Sequence, residues 1–555
     1  MVTAINFDGE QSDYDRPLGI DVATREFIRA FFRFSKQKIF PCICPNTAAL
    51  DEFKRYAEIE QVNPERCFGV NQNDPIQIER AGHLFRYDPG ILKHIWGRRQ
   101  FGQRRYSISG LLHTSSTDNV MDIIGQYLTA PTQNWDALIC PSKAIKSAAL
   151  NIIDNWQQYL KERTGGNFKC PIQFPVIPLG VDTDYFNKIS GYQKREEQRK
   201  VLGLEEDELA ILFTGRLNFV AKANPLPLLM GVEKAAKETK KQIRLIFCGY
   251  FNDETNEKAF REAAAKICNL ARVSFVRHGD KNFPDGFWAG ADIFCSLVDN
   301  IQESFGLTPV EAMASGIPVI VSDWNGYRDT VRDGVDGYTI PTLAPSKNSG
   351  NELAYKYFSG QNNYGDYLGA IQQSISIDFD ILSKALKQLI ENPSLRRKMG
   401  DSGKERANYL YNWPNIISAY EELWEELGER RSADEEINPL KTGFPFHPSR
   451  PDPFDMFASF PTRQFSEKGK IELVISTWPK VIELISLKVG LVYPDSLIDL
   501  EILPALFDKL KDNSPIVIRA LIALLPEFNT TDLKLTLAWL VKLGICRYHP
   551  NKPDF

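Results

Sequence analysis

Five short, almost unbroken apolar runs separated by helical stretches constrain this chain more than any other feature: Ala210–Thr214, Arg244–Cys248, Val273–Val276, Asp292–Leu297 and Pro318–Ser322. Helical periodicity fills the gaps, as over Pro227–Lys240 and Asn256–Asn269. Strands with little polar alternation have both faces buried. A parallel sheet covered by helices on each side has that requirement. The pattern predicts an α/β domain over residues 183–405.

The chain has 555 residues, too many for one core, so several domains are expected. A second α/β pattern fills residues 1–182. Helical periodicity over Arg25–Phe34 leads to a strand at Lys38–Cys44. Tyr106–Leu112 alternates and ends at His113, and Ala137–Cys140 is a further strand, with Ser142 as N-cap of the helix after it. The punctuated stretch Phe174–Phe186 reads as the crossing between domains. Trp413–Arg430 is amphipathic and predicts a crossing helix within 406–437. Prolines 439, 445, 448, 451, 453 and 461 mark 438–465 as a linker or extended strap. Residues 466–555 read as a mainly helical accessory module, with helices over Asp495–Lys511, Pro515–Leu525 and Thr531–Leu543. The fold class is therefore α/β, with an extra helical module.

Composition narrows the function. The net charge of -5 supplies no global basic field, so no nucleic-acid partner is expected. Nine scattered cysteines without a CxxC pair, and six histidines without a ligand pattern, predict no metal site and a reduced, cytoplasmic setting. The opening residues MVTAINFDGEQSDYDRP are acidic and lack an apolar core, so no signal peptide is expected. The most apolar stretch, Ile471–Val492, is interrupted by charges and reads as an amphipathic helix. The run His94–Arg105 carries Arg98, Arg99, Arg104 and Arg105 and reads first as a solvated basic face. Its alternatives are a phosphorylated acceptor or a peripheral contact with the inner face of a membrane.

The chemistry concentrates in Glu303-Ser304-Phe305-Gly306-Leu307-Thr308-Pro309-Val310-Glu311. Thr308, Pro309 and Glu311 predict a capping box with proline at the first helical position. The start of that helix, just after a turn at Gly306, presents free N–H groups and the positive dipole end, an anion site suited to a diphosphate. Glu303 and Glu311 bracket it, and carboxylates accept hydrogen bonds from sugar hydroxyls. One is expected to hold a hexose and the other a ribose. Arg216, at the end of the strand Ala210–Thr214, and Lys222 add two cations suited to a diphosphate.

The segment ESFGLTPVEAMASGIPVIVSD resembles the donor signature of retaining glycosyltransferases of the family-4 type, the group of glycogen synthase-like and phosphatidylinositol mannosyltransferase-like enzymes. That resemblance implies the GT-B architecture: two Rossmann-like domains facing an interdomain cleft, with acceptor-side residues in the first and the nucleotide-sugar site in the second. It implies transfer of a hexosyl unit from a nucleotide-diphosphate sugar to an acceptor hydroxyl, with retention and without metal or cofactor. Glu303 and His113 are then the catalytic candidates. Gly19, Arg216, Lys222, Ser304, Phe305, Gly306, Leu307, Thr308 and Glu311 are the donor-binding candidates. Lys222 follows Arg216 by six residues, one more than the family's commonest spacing. The partners implied are a nucleotide sugar and a glycan, lipid or protein acceptor. The competing readings are a non-catalytic scaffold on this fold, and an epimerase or phosphorylase.

Overall fold

A computed structural model describes residues 2–9, 19–71, 74–277 and 287–551. They divide into two compact units, Met1–Phe446 and His447–Phe555.

The first unit holds two six-stranded sheets. In chain order the first has β1 (Val2–Asn6), β2 (Phe40–Ile43), β3 (Cys67–Gly69), β4 (Gly82–Arg86), β5 (Ser107–Leu111) and β6 (Asp136–Ile139). The second has β7 (Leu209–Thr214), β8 (Ile243–Gly249), β9 (Arg272–Arg277), β10 (Ile293–Ser296), β11 (Val319–Ser322) and β12 (Gly337–Ile340). Their orders are β3-β2-β1-β4-β5-β6 and β12-β11-β10-β7-β8-β9, and every pairing is parallel. Each order reverses once, between β1 and β4 in the first sheet and between β7 and β10 in the second. This is the doubly wound Rossmann arrangement, in which a crevice opens beyond the carboxyl ends of the strands at the reversal. Burial explains why the runs that carry the second sheet stand out: β7, β10 and β11 are buried at every position.

Two strands central to the first sheet escape the sequence pattern. β1 is VTAIN, and β4 is GHLFR, with His83 fully buried. Their polar members are absorbed by side-chain pairing: Gln37 Oε1 accepts from the Thr3 amide at 3.0 Å, and His83 Nε2 bonds Ser109 Oγ at 2.7 Å. The first domain therefore begins at β1, within the expected bounds of 1–182.

The long helix Trp413–Ala433 returns to the first sheet. Trp413, Ile417, Tyr420 and Trp424 join Phe27, Phe31, Phe40 and Phe85 in one buried cluster. The Trp424 indole N–H donates to Ser109 Oγ at 3.2 Å. Between β12 and the helix Phe379–Glu391 the second domain carries an insert closed by an antiparallel pair, β13 (Thr342–Leu343) and β14 (Ser376–Ile377). It holds helices Asn351–Phe358 and Tyr364–Gln372, with the Tyr357 and Tyr367 rings stacked at 4.5 Å.

The basic run His94–Arg105 is not a solvated face. Arg98 and Asp136 form a fully buried ion pair at 2.7 Å. Arg99 donates to the Phe446 carbonyl at 2.9 Å, Arg104 to the carbonyls of Arg431 and Asp434, and Arg105 pairs with Glu79. Buried Gln103 and Gln133 bond the Ile437 carbonyl, at 3.1 and 2.9 Å. The first part of the proline-rich stretch is thus strapped to the first domain rather than forming a free linker.

The second unit is mainly helical, with a small antiparallel sheet. β15 (Lys470–Leu473) pairs antiparallel with β16 (Ile516–Val517) and β17 (Cys546–His549). The single helix expected over Ile471–Val492 is instead this strand followed by a helix at Trp478–Ile485. Ile471, Leu506, Leu510, Leu533 and Leu537 fill its core. Among the described residues no helix is long and apolar enough to cross a membrane.

Candidate active site

The candidate residues gather at the reversal of the second sheet. Arg216 follows β7 and Glu303 follows β10, adjacent parallel strands whose carboxyl ends open onto the crevice. Gly215 follows β7 with φ +146, a conformation that L side chains rarely adopt, and Lys222 folds back over it. Asn218 shapes the turn between them by accepting from the Val220 and Ala221 amides at 2.9 and 2.7 Å.

Lys222 Nζ lies 2.5 Å from Glu303 Oε2, with the two side chains only 17% and 14% exposed. Burial pushes the Glu303 carboxyl up, but the Lys222 ammonium and backbone hydrogen bonds from Phe305 and Ser304 outweigh it and hold its pKa below the ordinary value. Glu303 is therefore ionised at neutral pH. Arg216 donates to Gln302 Oε1 at 2.8 Å.

The helix Leu307–Ala314 starts after Gly306, whose φ of +92 sets the sharp turn. A side chain at Gly306 would run into the Tyr327 ring. The expected capping box does not form. The N-cap is Gly306, no side chain caps it, and Thr308 lies inside the first turn. Because Thr308 sits two residues past the N-cap, the first N–H groups have no side-chain cap and the anion-binding character of the helix start is kept. Ser304 and Phe305 are buried in the preceding turn. Glu311 stands one turn further on. Burial, then the like charge of Glu26 from the first domain, push its carboxyl up to about 7, with Lys222 opposing.

The first domain closes over this loop through hydrogen bonds. Ser142, N-cap of the helix Lys143–Thr164, donates from Oγ to the Ser304 carbonyl at 2.7 Å. The Lys143 amide donates to Asp329 at 2.6 Å. The insert adds a relay: Gln302 Nε2 donates to Tyr364 Oη at 3.2 Å, and Tyr364 Oη bonds Ser116 Oγ at 2.7 Å. Arg216 is thereby tied to the loop that follows His113. A cavity of about 370 Å³ lies beside this relay, lined by Ser116, Ile145, Ile301, Trp324, Asn325 and Tyr367 among others.

His113 stands just beyond β5 and forms no hydrogen bond or ion pair with Glu303 or Glu311. Burial lowers its pKa to about 4, opposed by a hydrogen bond to the Tyr87 backbone, so the ring is neutral at pH 7. Its Nε2 is buried without a protein partner. Gly19, the donor-facing glycine expected at the head of the first helix, is the first residue of the helix Gly19–Phe34, and residues 10–18 before it lie outside the described residues. Gln302, Tyr364, Ser116 and Asn325 were not anticipated. Gln302 had a usable signal, its place next to Glu303. Tyr364 had none, because nothing local ties the insert to the crevice.

Comparison with known proteins agrees with this fold. Residues 194–348 match the family described as Glycosyl transferases group 1. The Bacillus subtilis protein EpsD is 25% identical over 313 residues, covering 53% of this chain and 67% of that protein. The D-inositol 3-phosphate glycosyltransferase of Corynebacterium jeikeium is 26% identical over 304 residues, covering 53% of this chain and 63% of that protein. The match leaves about a third or more of each of these relatives uncovered. The crystal structure of Anabaena HepE in complex with UDP superposes with a TM-score of 0.50 at 13% identity, over 77% of this chain and all of that one. Residues 194–348 therefore match a group 1 glycosyltransferase domain, in a chain whose two Rossmann-like domains have the GT-B fold.

Proposed function

We propose that the protein moves a hexosyl unit from a nucleotide-diphosphate sugar to an acceptor hydroxyl, with retention of configuration and without a metal ion. The observation that carries this reading is the meeting of Lys222, Glu303 and the start of the helix Leu307–Ala314 at one strand reversal.

Each group then has a task. Arg216, Lys222 and the N–H groups of Leu307 and Thr308 hold the diphosphate. As the bond between the anomeric carbon and the diphosphate oxygen breaks, negative charge grows on the leaving group, and these fixed donors stabilise it. Ser304, Phe305 and Gly306 shape the turn that brings those N–H groups to bear, and Gly19 faces the phosphates from the first domain. Glu303 accepts from hydroxyls of the transferred sugar, and Glu311 from the ribose. His113, neutral, offers Nε2 to the same sugar from the first sheet. The acceptor hydroxyl forms its bond to the anomeric carbon as the bond to the diphosphate oxygen breaks, and its proton passes to that departing oxygen. The acceptor is a glycan, lipid or protein hydroxyl, and the bonds that close the cleft limit attack by water instead.

HepE was crystallised with UDP, so UDP-sugars are the first donors to try. The test is a thermal-shift and nucleotide-release panel of UDP-, GDP- and ADP-sugars. A donor at about 100 times its Kd adds about 2.7 kcal/mol to the stability of the folded state. One nucleotide class is expected to raise the melting point and to be released slowly without an acceptor. Neither effect with any of the three would support an inert scaffold instead.

A further inference from the structure

We propose that Cys42 and Cys44 are a modification site, a dithiol that hydroperoxides oxidise to an intramolecular disulfide and that small thiols restore. The pair lies at the carboxyl end of β2. Their sulfurs are 2.9 Å apart, and both are free thiols. Two residues apart on an extended segment, they share one face. Closing to a disulfide length of about 2.05 Å needs the sulfurs to approach by roughly 1 Å. No other pair of thiols is in sulfur contact among the described residues.

Their surroundings assign the order of events. Cys42 is wholly buried in an aromatic cluster with Phe7, Phe40 and Phe53. Cys44 is half-buried and is the one solvent reaches. The Cys42 thiol hydrogen-bonds Cys44, which lowers the Cys44 pKa, while burial raises that of Cys42. Cys44 is therefore the attacking sulfur and Cys42 the resolving one. The Cys44 thiolate attacks one peroxide oxygen, the O–O bond breaks, and the leaving oxygen takes up a proton to depart as water or alcohol. The Cys42 sulfur then attacks the Cys44 sulfenic acid. The S–S bond forms, the S–O bond breaks, and a second water leaves with the Cys42 proton. Two thiols lose two electrons, and one peroxide gains them.

The ring closed is very short, so the loop-entropy contribution to the disulfide is small. Weakly held disulfides are the labile ones, and this one is reversible. Its closure bears on a defined place. Pro45 and Asn46 follow at once, and Asn46 caps the helix Thr47–Ile59, whose Ala49 and Glu52 lie against Gly9 beyond β1.

The test uses the full chain, with hydrogen peroxide as the probe, followed by intact mass and non-reducing peptide mapping. Loss of two hydrogens mapped to the peptide holding Cys42 and Cys44, reversed by dithiothreitol, is expected. Cys44→Ser should slow oxidation of Cys42 by about tenfold or more. Cys42→Ala should stop Cys44 at the sulfenic acid, trapped by dimedone. Cys67→Ser, a neighbouring thiol on β3, should leave the disulfide unchanged. Peroxide-treated protein in which both thiols still alkylate after unfolding would overturn the proposal. So would Cys44 proceeding to sulfinic acid with no disulfide, or a disulfide through Cys67.

Discussion

Lys222 Nζ and Glu303 Oε2, 81 residues apart in the chain, meet at 2.5 Å in the crevice beyond β7 and β10. The proposed donor presents a diphosphate to Lys222 and sugar hydroxyls to Glu303, so the pair is aligned for both. Lys222→Ala removes a charged donor worth about 1.5–3 kcal/mol, so donor affinity is expected to fall by about 10- to 100-fold. Glu303→Gln keeps the shape but loses the charge, and kcat/KM is expected to drop by about 100-fold or more with little change in melting point. Calorimetric titration and initial rates check the two variants.

The raised carboxyl of Glu311 sets a pH dependence. The group accepts the ribose hydroxyls more strongly when ionised, and burial with the nearby Glu26 holds its pKa at about 7. Donor affinity is expected to rise as pH goes from about 6 to about 8 and then level off. Glu26→Gln removes the like charge and should move the rise to lower pH. The stability sign is opposite. The folded chain keeps this proton up to about 7, whereas the unfolded chain releases it near the ordinary 4.5. The Glu311 contribution to stability therefore falls as pH rises through that window. Titrations and melting points at several pH values in one buffer series test both signs.

Tyr364 joins Gln302, the partner of Arg216, to Ser116 on the first domain. Tyr364→Phe removes hydrogen bonds worth about 1 kcal/mol each while keeping the ring. The expected result is a several-fold rise in KM for the donor with a small change in kcat. An unchanged KM would show that the relay does not position Arg216.

Residues 1–446 form a compact unit, so a chain ending at Phe446 should fold and bind donor as the full chain does. A chain ending at Ala433 loses the strap over Gln103 and Gln133, both fully buried. Leaving buried amides unpaired costs about 1–3 kcal/mol each. The shorter chain should melt several degrees lower, by scanning calorimetry of the two truncations.

What the sequence revealed follows local physics. β7, β10 and β11 are apolar at nearly every position because both faces are buried, and a short window suffices to see them. The segment from Glu303 to Glu311 was legible for the same reason: Gly306, Pro309 and the two carboxylates sit within one turn and one helix start. β1 and β4 were hidden because Thr3, Asn6 and His83 are buried polar groups whose partners lie far along the chain. The capping box failed because Gly306, in a left-handed conformation, took the N-cap position. The arginines of His94–Arg105 read as solvated because their acceptors, Asp136 and the carbonyls of Arg431, Asp434 and Phe446, are 38 to 347 residues away.

The central claim is that the start of the helix Leu307–Ala314 grips a diphosphate between two carboxylates. A crystal structure of the full chain with a bound nucleotide-diphosphate sugar measures it directly. The account predicts phosphate oxygens within hydrogen-bond distance of the Leu307 or Thr308 amide, with Lys222 and Arg216 on the same phosphates and the ribose on Glu311. A nucleotide bound elsewhere, or one whose phosphates leave that helix start and both cations untouched, would contradict it.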